Sequence, residues 1–231
     1  MNTMLNKKQF LLYAIQLAFP IMIQNLISTL VNSADTVMLG YVSQTAMAAS
    51  SLANQYTFVL FCFYYGLAIG TSVLCAQYWG KGDKKTLDEI FCMALRLCGL
   101  VSAIFFVGCV FFGRYLMLIF TNEEVLINYG VSYLKIAGFS YLLTGISQCY
   151  LVIMKTSEHA KTTAVISSMT VCVNIILNAI FIFGGFGIAP MGVRGAAVAT
   201  VLSQAASCAF SLYILFRGPV PVKITFRGYS L

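Results

Sequence analysis

The chain has 231 residues, of which 60% are hydrophobic and 9% charged, whereas a soluble domain carries about a quarter charged residues. That composition excludes an ordinary soluble protein, and the number of apolar runs excludes a signal peptide or a single-span anchor. The net charge of +7 lies in short segments between those runs, with no dense basic block, which argues for membrane topology and against nucleic-acid binding.

The runs predict an all-α, polytopic membrane protein of six spans, with a six-helix unit over 1–218 and a tail over 219–231. The first span covers roughly Leu12 to Leu39, long enough to cross a bilayer, with Pro20 positioned to kink it. Gly40 to Ser51 is uncharged and reads as a short outer loop. The second span, Leu52 to Gln77, contains Gly66 and Gly70 at the spacing that permits close helix approach. The segment Trp79 to Glu89 then reads as a cytosolic loop, with Asp83 or Thr86 as the cap of the next helix. The third span is Ile90 to Ile119, with Arg96 near its start. The fourth is Ile127 to Met154, with Lys135 expected to extend its ammonium toward the headgroups. Lys155 to Thr162 is a basic loop holding His159, the one histidine. The fifth span, Ala164 to Phe183, leads through a glycine-rich turn into the sixth, Ala196 to Phe216.

Lys7, Lys8, Lys81, Lys84, Lys85, Lys155, Lys161, Arg217, Lys223 and Arg227 all fall on the side that this threading makes cytosolic. Only Arg114 and Arg194 fall near the other face. The bias places both termini in the cytosol, in a multi-pass protein of the cell (plasma) membrane. The eight cysteines sit within or beside apolar runs without CxxC spacing, so they read as packing residues and not as a disulfide or zinc framework.

Asp35 is the outlier. A carboxylate at membrane depth is costly unless it faces protein, water or an ion. Asn25, Asn32 and Asp35 share roughly one helical face, and Asn174 and Asn178 share another on the fifth span. Buried amides need partners. If these spans meet, Asn25, Asn32, Asn174, Asn178 and Thr200 surround the carboxylate, with Gln55 a further candidate cavity residue. Such a site suits H+ or Na+ held by carboxylate, amide and hydroxyl oxygens. The alternative places Asp35 shallow, as a solvated helix-end residue. Catalysis has no comparable support: no second carboxylate lies at depth, no nucleophile–histidine–acid set can be assembled, and no phosphate-binding loop is present. No cofactor is expected beyond the coupling ion.

The stretches Pro20-Ile21-Met22-Ile23-Gln24-Asn25 and Val31-Asn32-Ser33-Ala34-Asp35-Thr36-Val37-Met38-Leu39-Gly40 resemble the first helix of the MATE (multidrug and toxic compound extrusion) transporters. The resemblance continues in Ala76-Gln77-Tyr78-Trp79-Gly80-Lys81-Gly82-Asp83, in Val173-Asn174-Ile175-Ile176-Leu177-Asn178 and in Gly192-Val193-Arg194-Gly195-Ala196-Ala197-Val198-Ala199-Thr200. These segments are ordered and spaced as in that family's N-terminal lobe.

The resemblance implies secondary active export of organic, often cationic, compounds in antiport with Na+ or H+. It implies a twelve-span architecture of two six-helix lobes around a cleft that opens alternately to each side. The cation-site acid matches Asp35, and the asparagine and threonine of the same site match Asn174 and Thr200. Some members carry a second acid where this chain has Asn178, which removes a two-carboxylate relay and leaves the coupling ion open. The expected partners are small organic substrates, the bilayer, and a C-terminal lobe or a second copy of the chain. The chain is expected to be one lobe of a longer exporter, with a half-size transporter and an inactive or structural remnant as alternatives. A lipid-linked precursor flippase of the related superfamily is the rival function, disfavoured by having only Arg96 and Lys135 as in-membrane cations.

Overall fold

A computed structural model describes residues 7–156, 160–185 and 187–217, with a number of side chains, chiefly in the first helix, outside the description. His159 and the tail from 218 onward therefore lie outside the described residues. The fold is all-helical: α1 (Lys7–Val42), α2 (Gln44–Lys81), α3 (Lys84–Leu118), α4 (Glu124–Thr156), α5 (Ala160–Phe183) and α6 (Val193–Arg217).

Every helix is long enough to span a hydrocarbon core of about 30 Å at 1.5 Å per residue. Among the described residues, five of them, α2 to α6, hold an apolar stretch that meets both the length and the composition of a span. Large apolar side chains on their outer faces, such as Ile69, Phe111 and Tyr115, are exposed, as expected for a bundle whose solvent is lipid. The protein is a multi-pass membrane protein.

The helices run longer than the apolar runs suggest, and the connections are correspondingly shorter. The expected loop from Gly40 to Ser51 is replaced by a single residue, Ser43, in extended backbone (φ −166°, ψ 133°) between α1 and α2. The Ser43 hydroxyl accepts a bond from the Ala46 N–H at 3.4 Å and caps α2. Small residues then continue as helix because Ala46, Ala49, Ser50 and Ala53 are buried in contact with neighbouring helices. The Trp79–Glu89 segment is likewise helical except at Gly82 and Asp83. Gly82 ends α2 at φ +71°, where a side chain would be strained. Asp83 caps α3, accepting from the Thr86 N–H at 3.2 Å and the Thr86 hydroxyl at 2.6 Å. These two bonds hold its carboxyl below the usual carboxylate range.

The centre of the bundle is α4, packed against α2, α3 and α6. Its apolar stretch is 61% buried, against 17–28% for the other four spans. The α3–α4 seam is built on glycine: a Cβ at Gly130, Gly138 or Gly145 would press into Met117, Cys109 or Ser102 respectively. These three antiparallel pairs bring the two backbones close. Gly66 and Gly70 do not serve that purpose among the described residues, none of which lies where their Cβ atoms would project. They occupy an exposed face of α2. Gly195 is used: a Cβ there would meet the carbonyl of Phe181, so α6 lies directly on the end of α5. Six of the cysteines are buried or half-buried, while Cys62 and Cys172 face outward. Lys135 is exposed, as is Arg96, and Arg114 pairs with Glu124 at 2.6 Å.

Candidate functional site: a carboxylate in an acceptor-rich pocket

The tight packing of α5 against α1 and α6 sets three helices at one level. Asp35 lies two turns before the end of α1, Asn178 just over one turn before the end of α5, and Thr200 two turns after the start of α6. Each is therefore about 7–11 Å along its axis from the same end of the bundle. Asp35 is half-buried and Asn178 is fully buried. The Asn178 Nδ2–H donates to Asp35 Oδ1 at 2.6 Å and to Asn174 Oδ1 at 3.0 Å. Asn174 in turn donates from Nδ2 to the Ser203 hydroxyl at 3.2 Å. Asp35 is thus fastened to α5 and is not a free, solvated helix-end group.

The direction of these bonds decides what the pocket can accept. An amide has two hydrogens and one acceptor oxygen. Both Asn178 hydrogens are spent on acceptors, which fixes the amide orientation: turned over, its oxygen would face the carboxylate and the Asn174 oxygen. Its own Oδ1 is left buried without a partner, a costly state unless a proton or cation is supplied. The Thr200 hydroxyl sends its proton to the Ala196 carbonyl at 3.0 Å, and the Ser203 hydroxyl sends its proton to the Thr200 carbonyl at 2.9 Å. The network therefore holds unfilled oxygen lone pairs in one chain of bonds with a carboxylate. That donor set fits a hard cation or a proton, and lacks the thiolates and imidazoles of a transition-metal site.

Of the residues expected from the sequence, Asp35, Asn174 and Asn178 are brought into one bonded chain, with Thr200 beside it. Gln55 is exposed on α2 and stands outside this chain of bonds. The side chains of Asn25, Asn32 and Pro20 lie outside the described residues. Two participants were not expected. Tyr133 of α4, a helix packed against α2 and α6, is 7% exposed. Its hydroxyl donates to Asn54 Oδ1 of α2 at 3.1 Å. With 13 tyrosines in the chain, nothing local singles out Tyr133. Ser203 is visible in the sequence only as part of a polar edge on α6.

The MatE family profile matches residues 20–180. The probable multidrug resistance protein NorM of Thermotoga maritima is 29% identical over 204 residues, covering 88% of this chain and 44% of that protein. The corresponding NorM of Shewanella oneidensis is 31% identical, covering 87% and 44%. The multidrug resistance protein MdtK of Cronobacter sakazakii is 29% identical, covering 80% and 40%. A solved structure described as an outward-facing multidrug resistance MATE family transporter of the MOP superfamily superposes with a TM-score of 0.84 at 24% identity. It covers 94% of this chain and 48% of that one, and at that identity it speaks for the fold. The chain spans less than half the length of the curated relatives it matches. With the profile covering most of its length, the chain belongs to the MatE family.

Proposed function

We propose that the chain forms the cation-coupling lobe of a secondary active exporter of organic, often cationic, compounds. The relatives named as multidrug resistance proteins support the substrate class. The observation that carries the coupling role is the acceptor excess at Asp35 and Asn178 Oδ1. Ionised Asp35, Asn178 Oδ1 and the Thr200 hydroxyl oxygen would hold Na+, while a proton on Asp35 would serve the same electrostatic purpose. One carboxylate takes one occupant at a time, and burial penalises its empty charged form. Each occupant sets how strongly Asp35 is tied to Asn178, and so how α1 rests on α5. A second lobe, or a second copy of the chain, supplies the opposite wall of the cleft. The termini face the cytosol of a plasma membrane, following the lysine bias. Arg96 and Lys135, the in-membrane cations on which the flippase alternative relies, are both exposed.

The test is export of a fluorescent organic cation from liposomes under an imposed Na+ or proton gradient, with Asp35→Asn as the control. Export that follows one gradient and disappears in D35N supports the proposal. Folded protein that exports under neither gradient overturns it for this chain acting alone.

A further inference from the structure

We infer that Ser203 of α6 is a positioning residue for the cation pocket, fixing through Asn174 which way round the Asn178 amide faces Asp35; this rests on the proposed cation site at Asp35. Four side chains from three helices form one unbroken chain of bonds. The Ser203 hydroxyl oxygen accepts from Asn174 Nδ2 at 3.2 Å, Asn174 Oδ1 accepts from Asn178 Nδ2 at 3.0 Å, and Asp35 Oδ1 accepts from the same Nδ2 at 2.6 Å. Ser203 and Asn178 are both buried, so each bond needs a protein partner. An amide carries hydrogens at one end and lone pairs at the other. The direction of one bond in such a chain therefore dictates the next.

Ser203 sets that direction from the far end. Its one proton goes to the Thr200 carbonyl at 2.9 Å, so toward α5 it offers lone pairs. Asn174 answers with Nδ2 and turns Oδ1 to Asn178. Asn178 then turns Nδ2 to both Asn174 and Asp35, and its Oδ1 is left free of any partner, available to a cation. The reversed chain would not serve. With the Ser203 proton turned to Asn174 Oδ1, Asn174 would present Nδ2 to Asn178, and Asn178 would present Oδ1 to Asn174 and to the Asp35 carboxylate. Two oxygens would then oppose each other, and amide hydrogens would stand where the cation needs a ligand. Serine at 203 thus holds the amides in the order that accepts a cation, and it ties α6 into the bond between α1 and α5.

The experiment is a Na+ titration of the thermal unfolding temperature of the detergent-purified chain at fixed pH, giving an apparent Na+ affinity. Wild type is compared with Ser203→Ala, Ser203→Thr, Asn174→Ala and the Ser203→Ala/Asn174→Ala double variant, with Asp35→Asn as the blank. Ser207→Ala, the same change at a buried serine one turn further along α6, controls for packing. Ser203→Ala is expected to weaken Na+ about tenfold, the lower range for groups that orient a metal ligand. Ser203→Thr keeps the hydroxyl and its bond to the preceding turn, and is expected to bind as wild type does, as is Ser207→Ala. The double variant is expected to be no weaker than Asn174→Ala, since Ser203 acts only through that amide. Wild-type affinity in Ser203→Ala, an equal loss in Ser203→Thr or Ser207→Ala, or losses that multiply in the double variant would overturn the inference while leaving the cation site standing. A wild-type chain whose Na+ response matches that of Asp35→Asn would remove the cation-site reading and this inference with it.

Discussion

Replacing Asn178 with leucine tests the bonding at the pocket, because leucine is of similar size and removes every polar atom. Asn178 is fully buried, so water cannot replace what it donates. Two bonds disappear: one to the Asp35 carboxylate at 2.6 Å and one to Asn174 Oδ1 at 3.0 Å. A bond to a charged group contributes about 1.5–3 kcal/mol and a neutral one about 1 kcal/mol. Removing the unpartnered Oδ1 returns about 1 kcal/mol of desolvation cost. The net loss is then about 2 kcal/mol, or roughly thirtyfold in the folding equilibrium. Reversible denaturant unfolding in detergent, without Na+ and at a pH that ionises Asp35, measures it. The same substitution in an Asp35→Leu background is expected to cost little, leaving a coupling of about 1.5 kcal/mol between the two sites. A coupling near zero would refute the bond on which the pocket is built.

Gly195→Ala is expected to destabilise by about 1–3 kcal/mol, the range for overpacking, because the obstructing atom is the Phe181 carbonyl and backbone cannot rotate away; unfolding titrations measure it. Arg114→Ala is expected to change stability by less than about 1 kcal/mol, since the Arg114–Glu124 pair is more than half exposed. At Asp83 the folded carboxyl lies below its ordinary 3.8. Its capping contribution is therefore complete above that pH and is lost as pH falls through the lower folded value. Hydrogen-exchange protection at the Thr86 amide, relative to the intrinsic rate at each pH, should fall in acid for wild type, and at neutral pH for Asp83→Ala.

The six helices were legible because each needs a long run of apolar residues and lipid tolerates little else. The junctions were not, because small residues such as Ala46, Ala49 and Ala53 have no polarity to distinguish a loop from a tightly packed helix. Asp35 was legible through its charge, and Asn174 with Asn178 through their four-residue spacing. Tyr133 was not, because a phenol is equally at home in a core, at an interface or in a site, and only the position of α4 between α2 and α6 selects it. The three-glycine seam on α4 was hidden for a related reason: Gly130, Gly138 and Gly145 acquire meaning only opposite Met117, Cys109 and Ser102. Gly66 and Gly70 had the more familiar spacing, yet no described residue lies against them.

The central claim is that Asp35 holds the coupling cation within an acceptor-rich pocket. Direct binding of radiolabelled Na+ to the purified chain, with a pH series for competition by protons, tests it most directly. The predicted result is one saturable site per pocket that protons displace and that Asp35→Asn abolishes. Saturable Na+ binding that persists unchanged in folded Asp35→Asn would contradict it.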